Sequence, residues 1–145
     1  MKKLFKKICI ASDHAGYELK DQIKDFLIDK SISVIDLGPF SKDSVDYPDY
    51  AKKVAKRLIL RKSDAGVLVC GSGTGMSITA NKFKGIRAAQ CYSKYSTILS
   101  RQHNDSNIIC LGSRMLKYKD ALKYVTYFLN TKFESGRHQK RINKI

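Results

Sequence analysis

The segment richest in chemistry is Cys70-Gly71-Ser72-Gly73-Thr74-Gly75. Glycines at this spacing let successive backbone N–H groups crowd toward an anion, and a helix opening beyond them adds partial positive charge. A thiol set just before such donors is expected to have a lowered pKa, so thiolate is available near neutral pH. It could act as a nucleophile or as a general base. A dinucleotide fingerprint would need a third glycine where Met76 stands, and the motif would follow the first strand rather than the third. The Lys-Ser/Thr ending of a P-loop is absent. What remains is a cradle for an anion or an oxyanion.

Three other groups carry possible chemistry. Asp13-His14 follow the first apolar run, again at the end of an expected strand. Arg101-Gln102-His103-Asn104-Asp105 closes an expected helix; its Asn104 offers donor and acceptor together, which suits a polyhydroxylated ligand. Arg137 and Arg141 are four apart and therefore share a helix face. Two convergent guanidinium groups make a good phosphate clamp.

These groups need a scaffold that brings them together. Short β-branched runs alternate with stretches of helical period along the whole chain. Strands are expected over 7–12, 32–37, 65–70, 86–91 and 108–111. Between them, Leu19, Ile23, Phe26 and Leu27 mark one helix face, and Tyr50, Ala51, Val54 and Leu58 a second, with Pro48 in its first turn. A short helix is expected over 74–82, and another carries Tyr95, Ile98 and Leu99 on one side. Ala121, Leu122, Val125 and Leu129 mark the next, and a basic helix closes the chain over 137–144. Parallel strands need right-handed crossovers, so five such units predict a doubly wound, five-stranded parallel sheet between two helical layers, Rossmann-like in build. In the order 2-1-3-4-5, strands one and three flank the point where the winding reverses. Asp13, His14 and the 70–75 turn would then line one crevice.

Residues 1–145 are read as a single domain, with no linker, repeat or low-complexity tract. The start K-K-L-F-K-K-I-C-I-A imitates a secretory signal, but its apolar part ends within about four residues, too short for an h-region. No apolar run reaches membrane-spanning length. The reading is a basic tail leading into a strand of a cytoplasmic protein, with no membrane partner. Among the four cysteines, Cys9, Cys91 and Cys110 lie in strand-like runs and behave as small hydrophobes, without zinc spacing. With 28 basic against 13 acidic residues the net charge is +15, which raises the question of nucleic acid. The basic residues are scattered, however, with no nucleic-acid motif or aromatic platform, so a Lys-rich solvated surface that attracts small anions is favoured.

The strings S-D-H-A-G-Y, D-Y-P-D-Y-A, C-G-S-G-T-G-M-S-I-T-A-N-K, G-I-R-A-A, S-R-Q-H-N-D-S-N, L-G-S-R and G-R-H-Q-K-R occur in this order from about residue 8 to 141. Together they resemble the ribose-5-phosphate isomerase B family, to which galactose-6-phosphate isomerase subunits are related. The resemblance implies an aldose–ketose isomerase working without metal or cofactor through ring opening and a cis-enediolate. It implies Cys70 as the base, since Met76 stands where other members carry a glutamate. Backbone N–H groups of Gly71, Ser72, Gly73, Thr74 and Gly75, with the Ser72 hydroxyl, would hold the enediolate oxygen. His103 would open the furanose ring, while Asp13, His14 and Asn104 contact sugar hydroxyls. Arg137 and Arg141 would bind phosphate and Arg114 would assist; Tyr47 and His138 lie in matching strings without a defined role. A small sugar phosphate is the implied ligand, ribose 5-phosphate first and allose or galactose 6-phosphate as alternatives. A homodimer, or a dimer of dimers, with shared active sites is implied as well.

Overall fold

A computed structural model describes residues 4–145; the first three residues of the basic tail lie outside it. Eleven elements follow one another: β1 (Lys7–Ser12), α1 (Tyr17–Asp29), β2 (Ser33–Asp36), α2 (Tyr47–Ile59), β3 (Ala65–Cys70), α3 (Thr74–Ala80), β4 (Ala88–Gln90), α4 (Lys94–Gln102), β5 (Ile108–Gly112), α5 (Tyr118–Asn130) and α6 (Arg137–Ile142). All five strands pair in parallel. Ile8, Ile10, Val67, Val69, Ile109 and Leu111 face α1 and α5, closing over Phe128. Alternate residues Cys9, Ala11, Leu68, Cys70 and Cys110 face α2 and α3. The continuous apolar runs of β1, β3 and β5 are what a strand covered on both faces requires.

The strand order is β2-β1-β3-β5-β4, which corrects the expected 2-1-3-4-5. All five residues of β5 are buried, whereas β4 is three residues long and only partly covered. The strand able to exclude water on both faces takes the place beside β3, and the short one takes the edge. Asn81 blunts that edge by bonding both the N–H and the carbonyl of Ala88. The reversal of winding between β1 and β3 survives the exchange.

Two helices are shorter than expected, α3 ending at Ala80 and α6 at Ile142. In α4 the buried face is Thr97, Ser100 and Arg101, while Tyr95 is exposed. On the aromatic and aliphatic side Ile98 and Leu99 are half-buried, and the fully buried side is held by a guanidinium with its partners satisfied.

Candidate active site

Cys70 ends β3 against the helical layer of α2 and α3, with 4% of its surface exposed. Its sulfur accepts a hydrogen bond from the Gly73 N–H at 3.1 Å. That bond requires the chain to reverse at once, and Gly73 does so at φ +81°, a left-handed conformation that costs a side-chain-bearing residue about 1–2 kcal/mol. The next N–H, of Thr74, donates to the Ser72 hydroxyl at 3.2 Å, leaving the hydroxyl proton free to donate outward. Gly75 has no room for a Cβ, which would lie 2.6 Å from the Tyr47 ring. Tyr47 thus forms one wall of the turn.

Asp13 and His14 arrive from the neighbouring strand. The Asp13 N–H donates to the Val69 carbonyl at 3.1 Å, and its carboxylate accepts from the Gly16 N–H at 3.0 Å, so it caps the entry to α1. His14 is exposed, with Nδ1 3.2 Å from the backbone N and O of Val45, just before Tyr47. From β5, the Arg114 N–H bonds the Gly71 carbonyl, and its guanidinium lies over Gly71. Asp13, His14, Tyr47, the 70–75 turn and Arg114 therefore share the carboxyl ends of β1 and β3, at the reversal point where open α/β sheets bind ligands.

Two features of this half were not anticipated. Gln90, from the edge strand, donates through Nε2 to the Ser72 carbonyl at 3.0 Å and the Thr74 hydroxyl at 2.8 Å, bracing the turn from outside. Lys20 is fully buried, bonded to both Asp36 oxygens and the Pro39 carbonyl, and so ties α1 to the loop after β2. Gln90 read as an ordinary strand residue, and the helical period offered no reason to bury a lysine.

His103, Asn104, His138 and Arg141 line a different cavity of about 260 Å³. The His103 and His138 rings stack at 4.2 Å with an 11° interplanar angle. Burial, then the neighbouring His103 and Arg137, push the His138 pKa below its ordinary value, while Glu134 at 3.7 Å opposes them. The donor atoms of His103, Glu134 and His138 lie within 4.8 Å of one another, near enough to suggest a metal centre. Parallel rings hold their in-plane lone pairs side by side instead of aiming them at one point, and Arg137 and Arg141 on the same helix repel a cation. The arrangement suits an anion better.

The two groups do not meet within one chain. Cys70 closes β3, whereas His103 precedes β5, and the first β3–β5 pair is Gly66 with Ile108. The four residues from Gly66 to Cys70 span about 13 Å of strand. His103 and Asn104 lie beyond the Gly66 end, where the Asn107 carbonyl receives the Gly66 N–H. The other three thiols are buried, and burial pushes Cys9 up to about 11 and raises Cys91 and Cys110 as well.

Residues 8–145 match the family described as Ribose/Galactose Isomerase. The chain belongs to the Ribose/Galactose Isomerase family. Ribose-5-phosphate isomerase B of Escherichia coli (strain K12) is 45% identical over 140 residues, which cover 97% of this chain and 94% of that protein. The Clostridium thermocellum ribose-5-phosphate isomerase B structure superposes with a TM-score of 0.94 at 47% identity, covering 95% of this chain and 93% of the other. A second family structure, the Mycoplasma genitalium enzyme with bound ribulose-5-phosphate, superposes at 0.91 and 45% identity over 95% and 92% of the two chains. Among the described residues, no helix is long and apolar enough to cross a membrane.

Proposed function

We propose that this chain is a ribose-5-phosphate isomerase, interconverting D-ribose 5-phosphate and D-ribulose 5-phosphate as one domain acting in the cytoplasm. The observation that carries the reading is the Cys70 sulfur held at the mouth of the glycine turn by the Gly73 N–H, at the ligand-binding end of a family fold. His103 takes the proton of the sugar's anomeric hydroxyl and returns one to the ring oxygen, giving the open aldose. Cys70 thiolate removes the proton from C2, and the aldehyde oxygen becomes the enediolate oxygen. The N–H groups of the turn not engaged by Cys70 or Ser72, together with the Ser72 hydroxyl, bear that charge, an arrangement worth about 10²–10³ in rate per donor. Return of the proton from Cys70 to C1 and transfer of the O2 proton to O1 yield the ketose. Asp13, His14 and Asn104 orient hydroxyls, while Arg137, Arg141 and Arg114 hold the phosphate and so keep C1 and C2 at the thiolate.

The same geometry supports a homodimer. Ring opening and proton abstraction act on atoms two bonds apart, so groups that each approach within about 3 Å lie at most about 8 Å from one another. Cys70 and His103 of one chain exceed that, and a second copy is needed to lay its His103, Arg137 and Arg141 over the first copy's Cys70. Exposed Ile78, Tyr92 and Met115 border the Cys70 end and offer the apolar contact.

The test is ribulose 5-phosphate formation in EDTA, for wild type and Cys70→Ala. Turnover in wild type with loss in the variant supports both reaction and base. Turnover of allose 6-phosphate in place of the pentose would keep the chemistry and change the substrate. Near-normal turnover by Cys70→Ala would refute the base.

A further inference from the structure

The second half-site consists of two separate pieces of chain, and something must fix their relative position. His103 and Asn104 follow α4, whereas Arg137, His138 and Arg141 belong to α6, reached through the 131–136 connection after α5. Arg101 lies between them. It is 5% exposed, in the last turn of α4, with its guanidinium stacked over Phe5 at 5.0 Å and Phe128 at 5.6 Å. Nε donates to the Thr131 carbonyl at 3.2 Å, where α5 ends. Nη1 donates to the Ser106 carbonyl at 2.6 Å and to the Asp105 carboxylate at 2.9 Å.

Asp105 itself sits in the left-handed region at φ +45°, a conformation that Asp tolerates better than most side-chain-bearing residues. Its second carboxylate oxygen accepts from Arg87 Nη2 at 3.3 Å, and Arg87 Nε donates to the carbonyls of Asn104 and Asp105. The Glu134 N–H donates to the Gln102 carbonyl, a second tie between the α5–α6 connection and the end of α4.

The geometry points to Arg101 as a positioning residue that couples the ring-opening His103 to the Arg137/Arg141 phosphate clamp, with Asp105 as its counter-ion. This rests on the isomerase reading of the site. Arg101 touches no substrate; it sets the distance between the group that acts on the sugar ring and the group that holds the far end of the sugar. A planar fork with donors on two sides can span Thr131, Ser106 and Asp105 at once, and a lysine ammonium, a single point, cannot.

Arg101→Lys keeps the charge and most of the stem but gives up the fork. Asp105→Asn loosens the same node from its more exposed side, so it reports even where Arg101→Lys does not fold. For both variants, KM and kcat for ribose 5-phosphate are measured together with the calorimetric Kd of inorganic phosphate, against the folded fraction from circular dichroism. Misplacement of about 1 Å is enough for a hundredfold loss, so Arg101→Lys is expected to lose about ten- to hundredfold in kcat/KM. KM and the phosphate Kd are expected to rise together by about tenfold, in the same direction but less in Asp105→Asn, while iodoacetamide still reaches Cys70 at the wild-type rate. A residue needed only for folding would lower kcat in step with the folded fraction and leave KM and the phosphate Kd unchanged; that result overturns the proposal. Phosphate binding intact in wild type and weakened in the variants, without isomerase turnover in any, would refute the reaction while supporting the coupling. Unchanged phosphate affinity in both variants overturns the coupling whatever the turnover.

Discussion

Two inactive variants of this protein should restore activity to each other. Cys70→Ala removes the proposed base, and His103→Ala removes the proposed ring opener, from opposite ends of one sheet. If each site takes Cys70 from one copy and His103 from the other, a hybrid dimer holds one doubly defective site and one intact site. Joint unfolding and refolding of equal amounts gives hybrids as about half of all dimers, because a two-fold interface treats the copies alike. One intact site in two then predicts about a quarter of the wild-type kcat per chain, with KM unchanged. The assay is ribulose 5-phosphate formation after refolding, with each parent refolded alone as the control. The magnitude follows from geometry: about 13 Å of strand separates the two ends, more than the roughly 8 Å that one sugar allows. Activity no greater than the sum of the parents, with hybrids shown to be present by mass spectrometry, would refute the shared site.

Other consequences follow from single residues. Gly73→Ala forces a Cβ to within 3.1 Å of the Leu111 backbone at φ +81°, so turnover should fall at least tenfold while thermal unfolding shifts by only about 1–2 kcal/mol. Lys20→Met leaves the mostly buried Asp36 carboxylate with only Lys24 and the Gly38 N–H as partners, and should destabilise the fold by about 1–3 kcal/mol in urea titration. His138, held below its ordinary value of 6.5, contributes stability that is present above that pH and lost as pH falls through its folded value. Urea midpoints across this acidic range should therefore fall less in His138→Phe than in wild type. Cys9, raised to about 11 from 9.0, contributes stability that is full below 9 and lost as pH rises through 11; Cys9→Ala should flatten that alkaline limb.

Much of this protein could be read from local signals. The glycine turn, the strand before it and the helix beginning at Thr74 are set by residues within a few positions of one another, and the structure places them as expected. The buried faces of α1, α2 and α5 likewise follow from helical spacing. The order of β4 and β5 was not local. It depended on which of two apolar runs could be covered on both faces, a competition between distant segments for the place beside β3. The burial of Arg101 in α4 was not local either: Asp105, Ser106, Thr131 and two aromatic rings converge on it from across the fold. The candidate site divides the same way. Residue types and spacing picked out Asp13, His14, the 70–75 turn, His103, Asn104, Arg137 and Arg141, since chemistry at a strand end or along one helix face is written in adjacent letters; Arg114, Tyr47 and His138 came only from the family resemblance. Only the tertiary structure showed that Cys70 and His103 belong to opposite ends of one sheet, because that separation is a property of strand pairing and crossover, which no single stretch of sequence contains.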